Sequence, residues 1–309
     1  MNLAIETFNL GKRYGGVRAV ESLSLQVAEG EIYAFLGLNG AGKTTTIRML
    51  LGLIRPTTGY ARVLQTRVRL GSREPWESVG YMVEVPRNYP ELTVYENLEV
   101  ARRLHPGIPR AAVSWIIERM GLAAYADRRA GILSHGNVQR LGLAKALIHS
   151  PKLLLLDEPA NGLDPAGIVE IRELLLELTR EHGVTVFMSS HILAEVARLA
   201  QRIGVIHAGQ LVQELSIAEL EQNRSRRLLL QARDTAAAQR ALLAAGQPAE
   251  ILVDGTIVLS SASAVDRPDE INTLLVQAGT PPTRLLVDEE ELEQYFLRLV
   301  GVNGGQNVS

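Results

Sequence analysis

The stretch from Gly37 to Thr44 reads GLNGAGKT, and it restricts the fold more than any other part of this 309-residue chain. Glycines at that spacing let successive backbone amides turn inward around phosphate oxygens. Gly37, Asn39, Gly40, Ala41 and Gly42 would form the cradle. Lys43 brings a point charge for β- and γ-phosphates, the Thr44 hydroxyl suits Mg²⁺, and Thr45 lies in the turn that follows. Such a loop works between a buried strand and a helix. EIYAFLGL before it and TTIRMLLGL after it have those patterns. The expected class is therefore α/β, a phosphate-loop nucleotide-binding fold.

Two more continuous apolar runs, KLLLLDEP and VTVFMSSH, have strand length and read as buried strands of the same sheet. RIGVIHAG and QLVQEL read as a hairpin turning at Ala208-Gly209. Between Pro86 and Ser150 the strand signal disappears. There Thr93 and Glu96 form a capping box ahead of YENLEVARRL, and AAVSWIIERMGL is a second amphipathic run ending at a glycine. A helical insert over about 86–150 within a domain of residues 1–219 follows. From 220 to 302 the pattern is strand, helix, strand, strand, helix, strand, helix. It predicts a small C-terminal α/β domain, ferredoxin-like in order. The acid run Asp288 to Glu291 is expected at the start of the last helix, where the dipole favours it. The polar end, 303–309, is expected to be disordered.

The chemistry sits at strand ends. KLLLLDEP ends in Asp157, suited to holding Mg²⁺ through water, and Glu158, suited to polarising an attacking water. His191 follows VTVFMSS, where it would reach a γ-phosphate; a lone histidine is more often structural, and only its company raises it. LSHGNVQR, Leu133 to Arg140, places Ser134 and Gly136 at the start of a helical run. First-turn amides lack intrahelical partners and favour an anion there. The chain thus carries a second phosphate cradle far downstream of the first.

Together these motifs resemble the ATP-binding cassette (ABC) family over residues 1 to 216, with LSHGNVQR as its signature. The resemblance implies that two cassettes pair head to tail, each ATP lying between one phosphate loop and the other cassette's signature. Ser134 and Gly136 would then hold the partner's γ-phosphate. Tyr14, in GKRYGGVRAV, matches the aromatic that stacks on adenine, and Asp164, in NGLDP, matches the loop that communicates across the dimer. The family's glutamine that contacts metal and water falls in VGYMVEVP, where this chain has Glu84. The signature also departs from the usual pattern, with His135 and Asn137 in place of a glycine and a glutamine. Glu84 with the following VPRNYPELTVYENL is similar to bacitracin and lantibiotic exporter cassettes. The implied function is the ATP-hydrolysing subunit of a transporter, using ATP and Mg²⁺. Its implied partners are a second cassette and a separate membrane permease, at the cytoplasmic face of the cell membrane.

Composition narrows the rest. With no cysteine, disulfides, thiolate metal sites and cysteine nucleophiles are excluded. A formal net charge of −2 argues against nonspecific polyanion binding, and no nucleic acid is expected as a partner. No apolar run is long enough to span a bilayer, and the first residues lack a signal-peptide core. The alternative reading is a soluble cassette ATPase acting on ribosomes or DNA. Members of those classes carry two cassettes in one chain or a long coiled-coil insert, and neither pattern is present. A phosphate-loop kinase would have no use for LSHGNVQR. Arg67, Arg69 and Arg73 read as a solvated face, Trp76 and Trp115 as packing residues, and His105, His149, His182 and His207 show no ligand-like spacing.

Overall fold

The computed structural model describes residues 2–71, 75–84 and 86–301. The chain divides into two compact units, the first ending at Ile217 and the second beginning at Ala218.

The first unit opens with β1 (Leu3–Tyr14), β2 (Val17–Leu23), β3 (Gln26–Ala28) and β4 (Ile32–Leu36). The phosphate loop then leads into α1 (Lys43–Leu50), followed by β5 (Thr58–Val63), β6 (Thr66–Arg67) and β7 (Val79–Met82). The insert holds α2 (Val94–Arg103), α3 (Ala111–Arg119) and α4 (His135–Leu147). The chain returns through β8 (Leu153–Asp157), α5 (Pro165–His182), β9 (Thr185–Ser190), α6 (Leu193–Ala197), β10 (Arg202–His207) and β11 (Gln210–Ser216).

β4, β7, β8, β9, β10 and β11 form one sheet in the order β11-β10-β4-β9-β8-β7. It is parallel except for the β10–β11 hairpin, which turns at Ala208 and Gly209 with φ of 48° and 81°. β4 and β8 lie inside this sheet and are buried at every residue, which is why they read as unbroken apolar runs. A second sheet takes the order β2-β1-β5-β6, with β3 also paired to β1. A core including Phe35, Ile47, Leu155 and Phe187 fills the unit. The ends of β4, β8 and β9 thus stand side by side, each carrying a motif.

Local bonds fix the start of α2 and the loop before it. Thr93 caps α2 with a reciprocal box: its Oγ1 accepts from the Glu96 amide at 3.1 Å, and Glu96 accepts from the Thr93 amide at 2.7 Å. Buried Asn97 accepts from the Tyr89 amide and donates to the carbonyls of Tyr89, Leu92 and Thr93, so one side chain holds the loop before α2. α4 lies close against β7. A Cβ on Gly80 would meet the Ala146 carbonyl at 2.1 Å, and one on Gly142 would meet Pro86 at 2.4 Å.

Two histidines with no sequence relationship meet here. The rings of His105 and His149 stack at 3.9 Å and 5°, and His149 Nε2 lies 3.2 Å from the Val79 carbonyl. Burial, with His105 beside it, pushes His149 down to about 4, and burial lowers His105 as well. A histidine that stays neutral in the folded chain but protonates near 6.5 when unfolded withdraws stability as pH falls. Stability is expected to be full above about pH 6.5 and to decline from there toward pH 4. His149→Gln should flatten that slope in thermal unfolding measured from pH 7 to 5. An unchanged slope would exonerate the pair.

The second unit comprises α7 (Ile217–Asn223), β12 (Arg226–Ala232), α8 (Thr235–Ala244), β13 (Glu250–Ile251), β14 (Ile257–Leu259), α9 (Ala262–Asp266), α10 (Pro268–Gln277), β15 (Pro282–Glu289) and α11 (Leu292–Leu299). The sheet order is β13-β14-β12-β15, with every neighbouring pair antiparallel. That is the arrangement of a β-α-β-β-α-β ferredoxin-like sheet. Leu228, Leu230, Ile257 and Leu259 form its core with Leu242 and Leu275 from the helices.

Two expectations are corrected. Asp288 and Glu289 do not start the last helix: they end β15, where Asp288 meets Arg227 of β12 at 2.9 Å. Cross-strand charge pairing takes Asp288, and only Glu291 of the run stands at the N-terminal boundary of α11, without a side-chain capping bond. Trp115 is 60% exposed and does not serve packing, whereas Trp76 packs against the core. Arg67 and Arg69 are exposed, in keeping with a solvated face, and the Arg67 guanidinium lies 4.5 Å from the Tyr60 ring centre. Arg73 and the segment 303–309 lie outside the described residues.

Candidate functional site

The phosphate loop leaves β4 through residues that tolerate no side chain. A Cβ at Gly37 would meet the Ile206 carbonyl at 2.6 Å, and Gly42 (φ 109°) would drive one to 2.5 Å from the Ala19 carbonyl. Gly40 also takes a left-handed φ of 81°. Asn39 is exposed at the loop crest and Ala41 is buried beneath it. The loop is closed from below by Lys43, whose buried ammonium donates to the Gly37 carbonyl at 2.6 Å and lies 3.1 Å from Glu158 Oε1.

Four strand-end side chains complete the arrangement. Thr44 Oγ1 donates to Asp157 Oδ2 at 2.7 Å, and Ser189 Oγ donates to Asp157 Oδ1 at 2.6 Å. The same Ser189 oxygen accepts the Glu158 amide at 3.0 Å. Glu158 sits at φ 51°, a left-handed conformation that costs a non-glycine residue of order 1 kcal/mol and persists only where its surroundings enforce it. Its second oxygen lies 2.8 Å from His191 Nδ1. Lys43 and Thr44 at the start of α1, Asp157 and Glu158 at the end of β8, and His191 after β9 therefore form one connected group through Ser189. Glu195 of α6 stands near this group. Burial raises its carboxyl above the usual range, His191 draws it down and Glu158 pushes it up.

A protein-family profile described as "ABC transporter" matches residues 20–161. The bacitracin transport ATP-binding protein BcrA of Bacillus licheniformis is 38% identical over 97% of this chain and 98% of its own. The lantibiotic transport ATP-binding protein SrtF of Streptococcus pyogenes is 39% identical over 67% of this chain and 88% of its own. The dimeric structure of MJ0796, a bacterial ABC transporter cassette, superposes with a TM-score of 0.65 at 27% identity, covering 69% of this chain and 98% of that one.

This chain belongs to the ABC transporter ATP-binding family.

The first unit is thus an ABC cassette, and the cassette is an ATPase. Its remaining motif residues lie apart from the connected group. Ser134 caps α4, its Oγ accepting the Asn137 amide at 3.3 Å, and Gly136 follows in the first turn. Among the described residues no hydrogen bond joins either to residues 37–45. The signature instead packs on the segment leaving Glu158. The His135 ring occupies the space over Gly162, and buried Gln139 donates to the carbonyls of Glu158 and Pro159. Asp164 caps α5, accepting the Gly167 amide at 3.0 Å. Tyr14 ends β1 with its ring 46% exposed and Lys12 Nζ 5.0 Å from the ring centre. Thr45 lies in α1 beside Thr44.

Glu84 is not part of the connected group. Its carboxylate pairs with Arg48 of α1, and its backbone takes φ 59°. The motifs give no role to Ser189, Gln139 or Arg48. The doubled serine before His191 and the glutamine within LSHGNVQR were the available signals; Arg48 had none. Among the described residues, no helix is long and apolar enough to cross a membrane.

Proposed function

We propose that the chain powers export through a separate membrane permease, with a peptide antibiotic as cargo, by hydrolysing ATP between two paired cassettes. The observation that supports the catalytic part is the bridge Thr44–Asp157–Ser189–Glu158–His191, in which the Glu158 carboxylate stands beside the loop lysine. The transport names of BcrA and SrtF support the cargo class and favour transport over the ribosome or DNA alternative.

The residues present fit a magnesium-bound nucleotide. The cradle has room only for backbone at Gly37 and Gly42, and the Thr44 hydroxyl and Asp157 carboxylate together are an all-oxygen donor set of the kind Mg²⁺ takes. Thr44 and Asp157 would hold the ion, which would neutralise charge building on the phosphates. Loop amides from Gly37 to Thr45 would bind the phosphates, with Lys43 turning from Glu158 to them. Tyr14 would give the adenine a stacking face, tolerant of the base. Glu158, freed from Lys43, would take the proton of the attacking water, and His191 would orient that water and the γ-phosphate. Glu84 is proposed as metal contact and water ligand once Arg48 releases it. An anion so placed binds metal more tightly but repels the incoming phosphate.

Ser134 and Gly136 would close the partner cassette's site, with Asp164 carrying the signal between the two. Motion would pass from Glu84 through the insert to the permease, which would keep the chain at the cytoplasmic membrane face. Ser134→Ala is expected to slow hydrolysis about tenfold, on the scale of one lost hydrogen bond to a charged group. ATP binding by the isolated subunit should be unchanged. Collapse of that binding would show that Ser134 serves its own loop. The transport reading is tested by purifying the tagged chain from detergent-solubilised membranes of its own host. A stoichiometric polytopic partner is expected; recovery with ribosomes or DNA would overturn the transport reading.

A further inference from the structure

The sheet of the second unit has two unlike edges. β13, at one side, is two residues long, Glu250–Ile251. β15, at the other, runs for eight residues and, among the described residues, pairs with β12 alone. An edge of that length offers a row of unpaired amides and carbonyls, which monomeric proteins commonly blunt with lysine, proline, bulges or shortness. In β15 the single proline is its first residue, the register irregularity lies at the same end, and lysine is absent. Its centre, Leu285-Leu286-Val287, is regular and open.

The strand is also complementary to itself. Leu285 and Val287 pack on the core, so alternation turns Arg284, Leu286 and Asp288 to the opposite face. Leu286 is 43% exposed there. The Arg284 guanidinium has no ion pair or hydrogen bond among the described residues, and Asp288 meets Arg227 through one oxygen only. Antiparallel pairing of two copies of β15 about an axis at Leu286 sets Leu286 against Leu286 and Arg284 against Asp288, twice over. Moving the axis to Leu285 places Arg284 opposite Leu286 and loses the charge match, while moving it to Val287 places Arg284 opposite Glu290, which lies beyond β15 and is already held by Arg298 and the Ser225 amide.

We infer that β15 is an interaction surface for a second copy of this chain, joined edge to edge in that register. The contact is separate from the nucleotide-dependent pairing of cassettes and would hold two copies together before ATP binds. Cross-strand opposite charges favour the pairing and like charges opposite each other oppose it.

The chain contains no cysteine, so a single one reports the register cleanly. Opposed residues of antiparallel strands have Cα atoms about 4.5–5.5 Å apart, within reach of a disulfide. Copies of residue 284 would stand roughly 13 Å apart along the strands, beyond it. The full-length Leu286→Cys protein, without nucleotide and under mild oxidation at micromolar concentration, is expected to form a covalent dimer. Arg284→Cys should do so at least tenfold more slowly. Adding Arg284→Asp to Leu286→Cys, which sets like charges opposite each other, should slow cross-linking at least tenfold. Absence of the covalent dimer, equal rates for the two cysteine positions, or indifference to Arg284→Asp would each overturn the inference. The positions are exposed, and unchanged thermal unfolding verifies that the variants fold. Since no nucleotide is present, failure here leaves the ATPase reading standing, and the reverse holds.

Discussion

Glu158→Gln is expected to bind ATP as well as the parent chain while its steady-state hydrolysis falls by about 10²- to 10⁴-fold, the usual contribution of a positioned general base. The substitution keeps the side chain's length and an oxygen for Lys43 or His191, so the loop should stay closed from below as it is now, with Glu158 spanning the two at 3.1 and 2.8 Å. What is lost is the capacity to take a proton. With chemistry blocked and binding intact, the nucleotide-bound pair of cassettes should accumulate as a long-lived dimer. Hydrolysis by purified protein, together with sedimentation in ATP, reads both effects. Turnover at the parent rate would remove Glu158 as the base and shift attention to Glu195, the raised carboxyl nearby.

The second large effect is expected from Lys43→Ala, through binding rather than chemistry. Lys43 is almost wholly buried and is the cation that meets Glu158 and the Gly37 carbonyl. Against phosphate oxygens, two charge-assisted hydrogen bonds at about 1.5–3 kcal/mol each imply that affinity for ATP falls at least about 10²-fold. The loop glycines should still form their turn, because their backbone angles do not depend on the lysine. The thermal unfolding midpoint without nucleotide should therefore move little. Titration of ATP into purified protein checks the binding loss. Near-normal affinity would mean that the loop amides alone carry the phosphates.

Much of the site was legible because its residues announce themselves locally. Gly37, Gly42, Lys43 and Thr44 are set by spacing within one loop. Asp157, Glu158 and His191 each end an apolar run that a parallel sheet must bury, so the sheet brings their ends together whatever else the chain does. Thr93 and Glu96 fix a helix start through bonds spanning three residues. Contacts between remote segments left no such trace. Ser189, the hydroxyl that ties Asp157 to Glu158, is legible only once β8 and β9 are seen in register, with Asp157 opposite Ser189. Gln139 reads as one more helix residue until its amide is found on the Glu158 and Pro159 carbonyls.

By itself the sequence determined the class of the fold, the phosphate loop, the strand-end carboxylate proposed as base and the capped helices, since each depends on neighbours a few residues away or on an apolar run long enough to demand burial. The tertiary structure alone decided that Glu84 pairs with Arg48, that His105 stacks on His149, and that Asp288 belongs to a strand rather than a helix. These outcomes are competitions among partners far apart in the chain. A carboxylate goes to the nearest available cation, and a sheet that supplies a cross-strand arginine outbids the weak field of a helix end.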